Sequence, residues 1–341
     1  MNRLIHICFG IICCLFLDTG LYAQTDASIK AAKKTVTDAS GALKPYQKFI
    51  DNDSVHWLFG GDGSLSFRAT SLTNWATGGE DQIGVSPLVN LFLNYKKGKR
   101  TFENYWTFAY GLLKTGENKA VKNDDRLYYT SKVGHRMSPK WNYTAAFMAR
   151  TQFAPGYRYS AADTVKTSDF LAPVYLYLSI GLDYNPNKNI SCLVSPVMGK
   201  ATYANSNSTD VLATAGLITA GKDESGADIK IPHHSRYEFG GGLQLMLNGN
   251  LFKNKISYNS QVELFSNYAQ KPENVDVFWA LKVKIMLYKN ITADLRFDLK
   301  YDDDQKTVVK ELQPDGTYAN ATHGAKTQIM NYIGVGIFYQ F

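Results

Sequence analysis

Cysteine is scarce in this chain. There are four in 341 residues, and Cys8, Cys13 and Cys14 all fall near the N-terminus, which leaves Cys192 alone in the rest. A single thiol forms no internal disulfide, and without Cys/His spacing the chain offers neither a small stapled fold nor a zinc site. Long apolar runs are also missing. After Leu17 no stretch approaches the roughly 20 apolar residues that a membrane-spanning helix needs. Histidine is sparse too: beyond His6 there are His56, His135, His233, His234 and His323. None has a Ser or a carboxylate at a spacing that suggests a catalytic triad, although triads are set by geometry. The formal charge is +7, yet no basic helix or nucleic-acid module accompanies it, so the excess reads as a solvated basic surface without nucleic acid as a partner.

The first residues read as an export signal. Arg3 supplies a positive start, Leu4 to Leu17 is mostly apolar, and Leu21-Tyr22-Ala23 offers a small residue at the cut. The expected divisions are a cleaved signal peptide over 1–23, a periplasmic N-terminal arm or small plug over 24–56, and a barrel over 57–341. Cys13 and Cys14 follow Ile12 and Cys13, not the small residue that lipidation favours. In the arm, Ile29, Ala32, Val36, Ala39 and Leu43 recur at helix-like spacing, but so short a pattern rarely holds a helix alone.

What is abundant is aromatic. The 22 tyrosines, 18 phenylalanines and 5 tryptophans bring the aromatic share to 13% in a chain whose mean hydropathy is only −0.25. A polar average rich in aromatics suits strands whose faces alternate between lipid and lumen. The clearest is the last: Ile333, Val335, Ile337, Tyr339 and Phe341 share one face, and Gly334, Gly336, Phe338 and Gln340 the other. An apolar face ending in Phe is similar to the targeting strand of outer-membrane barrels. Upstream, Ile291, Ala293, Leu295, Phe297, Leu299 and Tyr301 alternate with Thr292, Asp294, Arg296, Asp298 and Lys300, and Val277 to Leu287 alternate with Lys282 and Lys284.

The pattern predicts about twelve strands, near 57–69, 80–95, 101–114, 125–137, 141–153, 172–185, 190–203, 235–247, 253–265, 276–288, 291–301 and 330–341. The 190–203 segment alternates poorly, and Pro196 would remove a ladder donor. Short connections alternate with long ones, as periplasmic turns and extracellular loops do in barrels. Trp57, Tyr95, Phe102, Trp141, Tyr184 and Phe341 should form one outward belt. Tyr110, Phe153, Tyr237, Trp279 and Tyr301 should form the other. The fold class is therefore all-β, a transmembrane antiparallel up-and-down barrel.

Several blocks are familiar in combination: Leu72-Thr73-Asn74-Trp75 with Gly78-Gly79-Glu80, Thr151 to Tyr157, Phe170 to Pro173, Ser195-Pro196 with Gly199-Lys200, Leu264 to Tyr268, Asn274 to Val277, and Tyr301 to Asp304. Together they resemble the domain-of-unknown-function 3078 family of Gram-negative outer-membrane barrels, over about Trp57 to Phe341. The resemblance implies a barrel and assigns no reaction. Most blocks fall at the upper strand ends, where Gly and Pro suit strand exits and loops folded inward.

Candidate functional residues are those that parity turns inward: Arg126, Lys132, Arg136, Arg150, Arg236, Lys282, Lys284, Asp294, Arg296, Asp298 and Lys300. Glu238 and Glu263 join them. In a narrow barrel such charges line a water path or lock one another. Basic residues predominate, so a path should favour anions. Parity also excludes a plain two-residue turn at Lys289-Asn290, which would oppose Tyr288 to Ile291. The allowed registers set either Lys284 against Asp294 or Lys282 against Asp298. Asp302, Asp303 and Asp304 are the leading metal candidates, through hard-oxygen ligation of calcium, with Glu80 and Asp81 in the neighbouring loop and Asp124-Asp125 as a second acidic pair. No cofactor is expected.

The expected function is a non-enzymatic outer-membrane channel or transporter for small anionic solutes, or an envelope-structural barrel. The alternatives are a lipid or peptide hydrolase with its site at the extracellular rim, and a loop-mediated binding or assembly protein. Expected partners are outer-membrane lipids, lipopolysaccharide, and the barrel-assembly machinery during biogenesis.

Overall fold

The computed structural model describes residues 56–70, 81–117, 119–159, 164–223, 228–302, 307–312, 318–323 and 326–340. The expected signal peptide, nearly all of the expected arm, Asp303, Asp304 and Phe341 lie outside them.

Twelve antiparallel strands close into a ring. In chain order they are β1 (Trp57–Thr70), β2 (Gln82–Lys97), β3 (Arg100–Thr115), β4 (Val121–Arg136), β5 (Trp141–Thr151), then, after the hairpin of β6 (Gly156–Tyr159) and β7 (Thr164–Ser168), β8 (Val174–Asn187) and β9 (Ile190–Tyr203). A short helix α1 (Thr209–Thr214) and a second hairpin of β10 (Ile218–Lys222) and β11 (Asp228–Pro232) follow. The ring resumes with β12 (Ser235–Leu251), β13 (Ile256–Asn267), β14 (Val275–Tyr288) and β15 (Ile291–Tyr301). A third hairpin, β16 (Thr307–Leu312) with β17 (Tyr318–His323), precedes the closing strand β18 (Gln328–Gln340), which pairs with β1. Closure leaves no strand edge, so every ladder has a partner on both sides, which a lipid environment demands.

The outer wall is apolar. On β18, Ile333, Val335, Ile337 and Tyr339 are exposed while Gly334, Gly336 and Phe338 are buried. Phe59, Phe67, Ile83, Leu178, Ile180 and Phe239 are likewise exposed on their strands. Water would penalise so large an apolar surface, and hydrocarbon does not. Aromatic pairs edge the wall at both ends. Trp57 meets Tyr95 at 4.9 Å and Trp141 meets Tyr184 at 4.7 Å near the short turns. Trp279 meets Phe297 at 5.1 Å and Phe239 meets Tyr268 at 6.0 Å farther up. The chain is a transmembrane β-barrel of the outer-membrane type.

Two irregularities correct the parity reading. In β9 the register slips around Pro196 on both neighbours, between Ile180 and Leu182 of β8 and between Gly240 and Gly242 of β12. Before the slip Leu193 and Ser195 are buried; after it Met198, Lys200 and Thr202 are. An extra residue reverses which parity faces inward, which is why the segment alternates poorly in sequence. Glycines make room for it. A Cβ at Gly181 would lie 2.0 Å from the Val194 carbonyl oxygen, and one at Gly241 would lie 2.2 Å from the Tyr268 hydroxyl. The second irregularity is at the β14–β15 turn. Tyr288 does oppose Ile291, the pairing that parity excluded, because the register shifts between Met286 and Tyr288 and restores the faces. Above that bulge Lys284 opposes Asp294, and Lys282 opposes Arg296, not Asp298.

The three hairpins and α1 were not anticipated, since each lies inside a connection read as a loop. β4 also starts at Val121, four residues before the expected 125. Ser208 caps α1, accepting from the Val211 N–H at 3.4 Å. Val211, Leu212, Ala215 and Leu217 pack with Ala172 and Ala204 into a small core at the long-loop end.

Candidate functional site

The interior is crossed by charged side chains in tiers. At the tier nearest the short turns, Lys132 on β4 is 3% exposed. It donates to Asp183 at 3.3 Å and to Ser191 at 3.1 Å, on β8 and β9. In the middle, Arg126 donates from Nε to Asp124 at 2.8 Å. Arg296 on β15 grips Asp298 through Nε at 2.9 Å and reaches Asp124 at 3.6 Å. β4 and β15 are separated by at least four strands either way around the ring, so this contact spans the lumen. Arg150 on β5 pairs with Glu263 on β13, again across the ring. Its guanidinium lies 4.5 Å from the Phe278 ring centroid, with Tyr128 and Tyr177 alongside.

Nearest the long loops, Lys200 is ringed by carboxylates: Asp276 at 2.7 Å, Glu238 at 3.4 Å and Asp302 at 3.5 Å. Arg236 holds Glu238 from the other side and donates to the Gly216 carbonyl at 3.2 Å, tying the wall to the end of α1. Lys300 stands 5.2 Å from the Tyr175 ring centroid, on the facing wall. Lys122 bonds Asp125 at 2.9 Å and the Ala154 carbonyl at 2.6 Å. Asp125 in turn accepts from the Phe153 and Ala154 N–H groups. The Thr151–Tyr157 block is thereby drawn in over the mouth.

Between the tiers lie two larger spaces. One, of about 510 Å³, is near the long loops, lined by Arg150, Lys200, Lys300, Asp276, Glu263 and aromatic residues such as Tyr177 and Phe278. The other, of about 610 Å³, is at the short-turn end. Its charged lining is Lys96, Lys99, Lys132, Arg136 and Lys188 against Glu103 and Asp183. In the central tier two spaces of about 80 Å³ each lie around Arg126, Lys282 and Arg296.

Lys284, in the central tier, stands apart from the pairing. Lys284 opposes Asp294 in the ladder, yet its Nζ sits 3.3 Å from the Phe338 ring centroid and has no hydrogen-bond partner among the described residues. Asp294 is reached instead by Ser66 at 3.2 Å and Thr292 at 3.4 Å. In place of the expected lysine–aspartate ladder, arginine–aspartate bridges occupy the central tier, where the planar guanidinium of Arg296 reaches both Asp298 and Asp124.

Sequence reasoning missed Asp124, Asp183, Lys200 and Asp276 as lumenal partners. Asp124 was hidden by the late start assigned to β4, and Lys200 by the parity reversal in β9. The other chemistries considered show this geometry: His135 is exposed on the outer wall, His233 Nε2 lies 2.9 Å from Thr219 Oγ1, and His234 Nδ1 lies 3.1 Å from the Ala204 carbonyl oxygen. Among the described residues no group of three His, Cys, Asp or Glu side chains is placed to hold a metal. Asp302 is turned inward toward Lys200.

A family model described as "Protein of unknown function (DUF3078)" matches residues 67–157. Among solved structures, the chain is similar to the translocator domain of the autotransporter NalP from Neisseria meningitidis, at 11% identity, covering 91% of this chain and 95% of that one with a TM-score of 0.32. It is also similar to a Pseudomonas aeruginosa FadL homologue, at 10% identity, 83% and 75% coverage and a TM-score of 0.29. A third is the Pseudomonas putida toluene transporter TodX, at 8% identity, 90% and 93% coverage and a TM-score of 0.27. No curated protein matches the chain.

Proposed function

We propose that this barrel is a narrow, side-chain-gated outer-membrane channel or transporter for small anionic solutes, held closed by its central tier. The observation that carries the reading is the imbalance in the short-turn vestibule. There Lys99, Arg136 and Lys188 have no ion-pair partner among the described residues, while the deeper lumenal cations are mostly bridged. Unpaired cations at a wet mouth attract anions and repel cations, and a low-dielectric wall strengthens the field. Among the described residues the barrier consists of long side chains from opposite walls, so rotamer changes in Arg296 and Arg150 suffice to widen it.

Planar-bilayer recording of the purified protein tests this. Small or intermittent conductance with an anion-selective reversal potential is expected. Replacing both central partners, Arg296→Gln with Asp124→Asn, should raise open conductance without reversing selectivity. Cation selectivity would defeat the anion reading. Silence of both wild type and the double variant would instead favour the second reading, an envelope-structural barrel, which the cross-lumen bridges themselves support.

A further inference from the structure

At its short-turn end the mostly apolar outer wall carries a row of basic side chains. At the short-turn end, Lys97 of β2 opposes Arg100 of β3, Arg100 opposes His135 of β4, and His135 opposes Tyr143 of β5. All four are exposed. Their faces follow from the row immediately above, two residues deeper along each strand. There Tyr95, Phe102 and Val133 oppose one another in the same order. Val133 is 55% exposed on the membrane side, and Trp57 packs against Tyr95 at a tilt. The two rows are about 7 Å apart by strand rise, and the three basic side chains fall within about 10 Å across adjacent strands.

Among the described residues nothing neutralises this row. Lys97, Arg100 and His135 have no ion pair or side-chain hydrogen bond among the described residues. Near the other short turns the outward positions are uncharged: Tyr184, Leu247, Ile285, Ile291 and Ile337. A basic cluster directly below a lipid-facing apolar row has the layout of a phospholipid, phosphate beside hydrocarbon. Arginine and lysine reach phosphate oxygens from the interface, their stems lying along the apolar wall. Aromatic neighbours sit at the same headgroup level.

The geometry points to a specific lipid site: Lys97, Arg100 and His135 bind the phosphate of an anionic phospholipid in the leaflet at the short-turn end, with its acyl chain against Tyr95, Phe102 and Val133. The ligand class is a phosphodiester lipid of net negative charge, in preference to a zwitterionic one. The site is on the outer wall and does not depend on whether the lumen conducts.

The test is native mass spectrometry of the full-length protein in micelles holding equal amounts of dioleoylphosphatidylglycerol and dioleoylphosphatidylcholine. Wild type should retain the glycerol lipid preferentially. Lys97→Gln with Arg100→Gln should cut that preference by about five-fold for each cation removed. Lys253→Gln with Lys255→Gln, which removes the same charge from the same end, should leave it unchanged. Inorganic phosphate at millimolar concentration should not displace the lipid. Equal loss in both double variants would reduce the effect to general charge and overturn the site. Displacement by phosphate would show an oxyanion site that does not read lipid. If the first double variant fails to fold, the wild-type measurement still decides, because absence of any lipid preference in wild type also overturns the proposal.

Discussion

Lys200, near the long loops, is 3% exposed or less with three carboxylates around its ammonium. Lys99 and Lys188, at the short turns, are exposed and have none among the described residues. The same residue type is thus a structural cross-link at one end of the lumen and a free charge at the other. The difference follows water. Where the lumen narrows and side chains from facing walls meet, an unpaired charge is too costly to keep. Where the vestibule opens, solvation removes the need for a partner, and the charge remains available to solutes.

The largest break in this contrast should come from Lys200→Met. Three acids lose their common cation, and the loss of one partner from a buried charge cluster costs about 3–5 kcal/mol. Urea unfolding of the detergent-solubilised barrel should register it as a lower midpoint with a preserved slope. A change below about 1 kcal/mol would mean that water already reaches this tier. Glu263→Gln should come next. It keeps the shape but leaves Arg150 facing only aromatic rings and an amide, a loss of about 2 kcal/mol for a charge-assisted bond. The same unfolding measurement checks it.

Lys284→Met probes the exception among the closed tiers. Because the Lys284 ammonium has no hydrogen bond among the described residues and lies over Phe338, a thioether of similar length should change stability by less than about 1 kcal/mol, in either direction. A larger loss would show that the long-range attraction of Asp294 matters more than the missing contact. At the open end, Arg136→Glu with Lys188→Glu should leave stability within about 0.5 kcal/mol. It should nevertheless move the bilayer reversal potential toward cations. Unchanged selectivity would remove the short-turn vestibule from any solute path.

The smallest effect belongs to the exposed hairpin of β6 and β7. Hydrogen bonding from Lys166 holds the Asp169 carboxyl below the usual carboxylate range, and the same bond raises the Lys166 ammonium. The acid's contribution is present above its unfolded pKa and lost as pH falls through the lowered folded value. The lysine's is present below its unfolded pKa and lost as pH rises through the raised one. Both are therefore intact near neutrality. Both groups are solvent-exposed, so Asp169→Asn should leave the melting temperature of the barrel unaltered at pH 7.

Much of the fold was readable from alternation, and its failures share a cause. A period of two tells which face a residue takes only while the ladder is regular. One extra residue at Pro196 and another at Leu287 invert the parity locally. Lys200 escaped notice for that reason. The β14–β15 register came out with Lys284 opposite Asp294, but through a turn that parity had ruled out. The hairpins and α1 escaped for a different reason: they are too short for a periodic pattern, and α1 is held by tertiary contacts, its own apolar core and the bond from Arg236 to Gly216.

The sequence by itself determined that the chain makes a closed, two-faced wall, because lipid and lumen impose opposite polarities on successive residues and the alternation is written locally. Which charges meet across the lumen was decided only by the tertiary structure. Asp124 and Arg296 are 172 positions apart in the chain, on strands that no local pattern pairs. Their contact depends on ring size, strand tilt and bulge position together. The split between bridged cations within and free cations at the short-turn mouth has the same origin, since it is set by where the facing walls come close enough to exclude water.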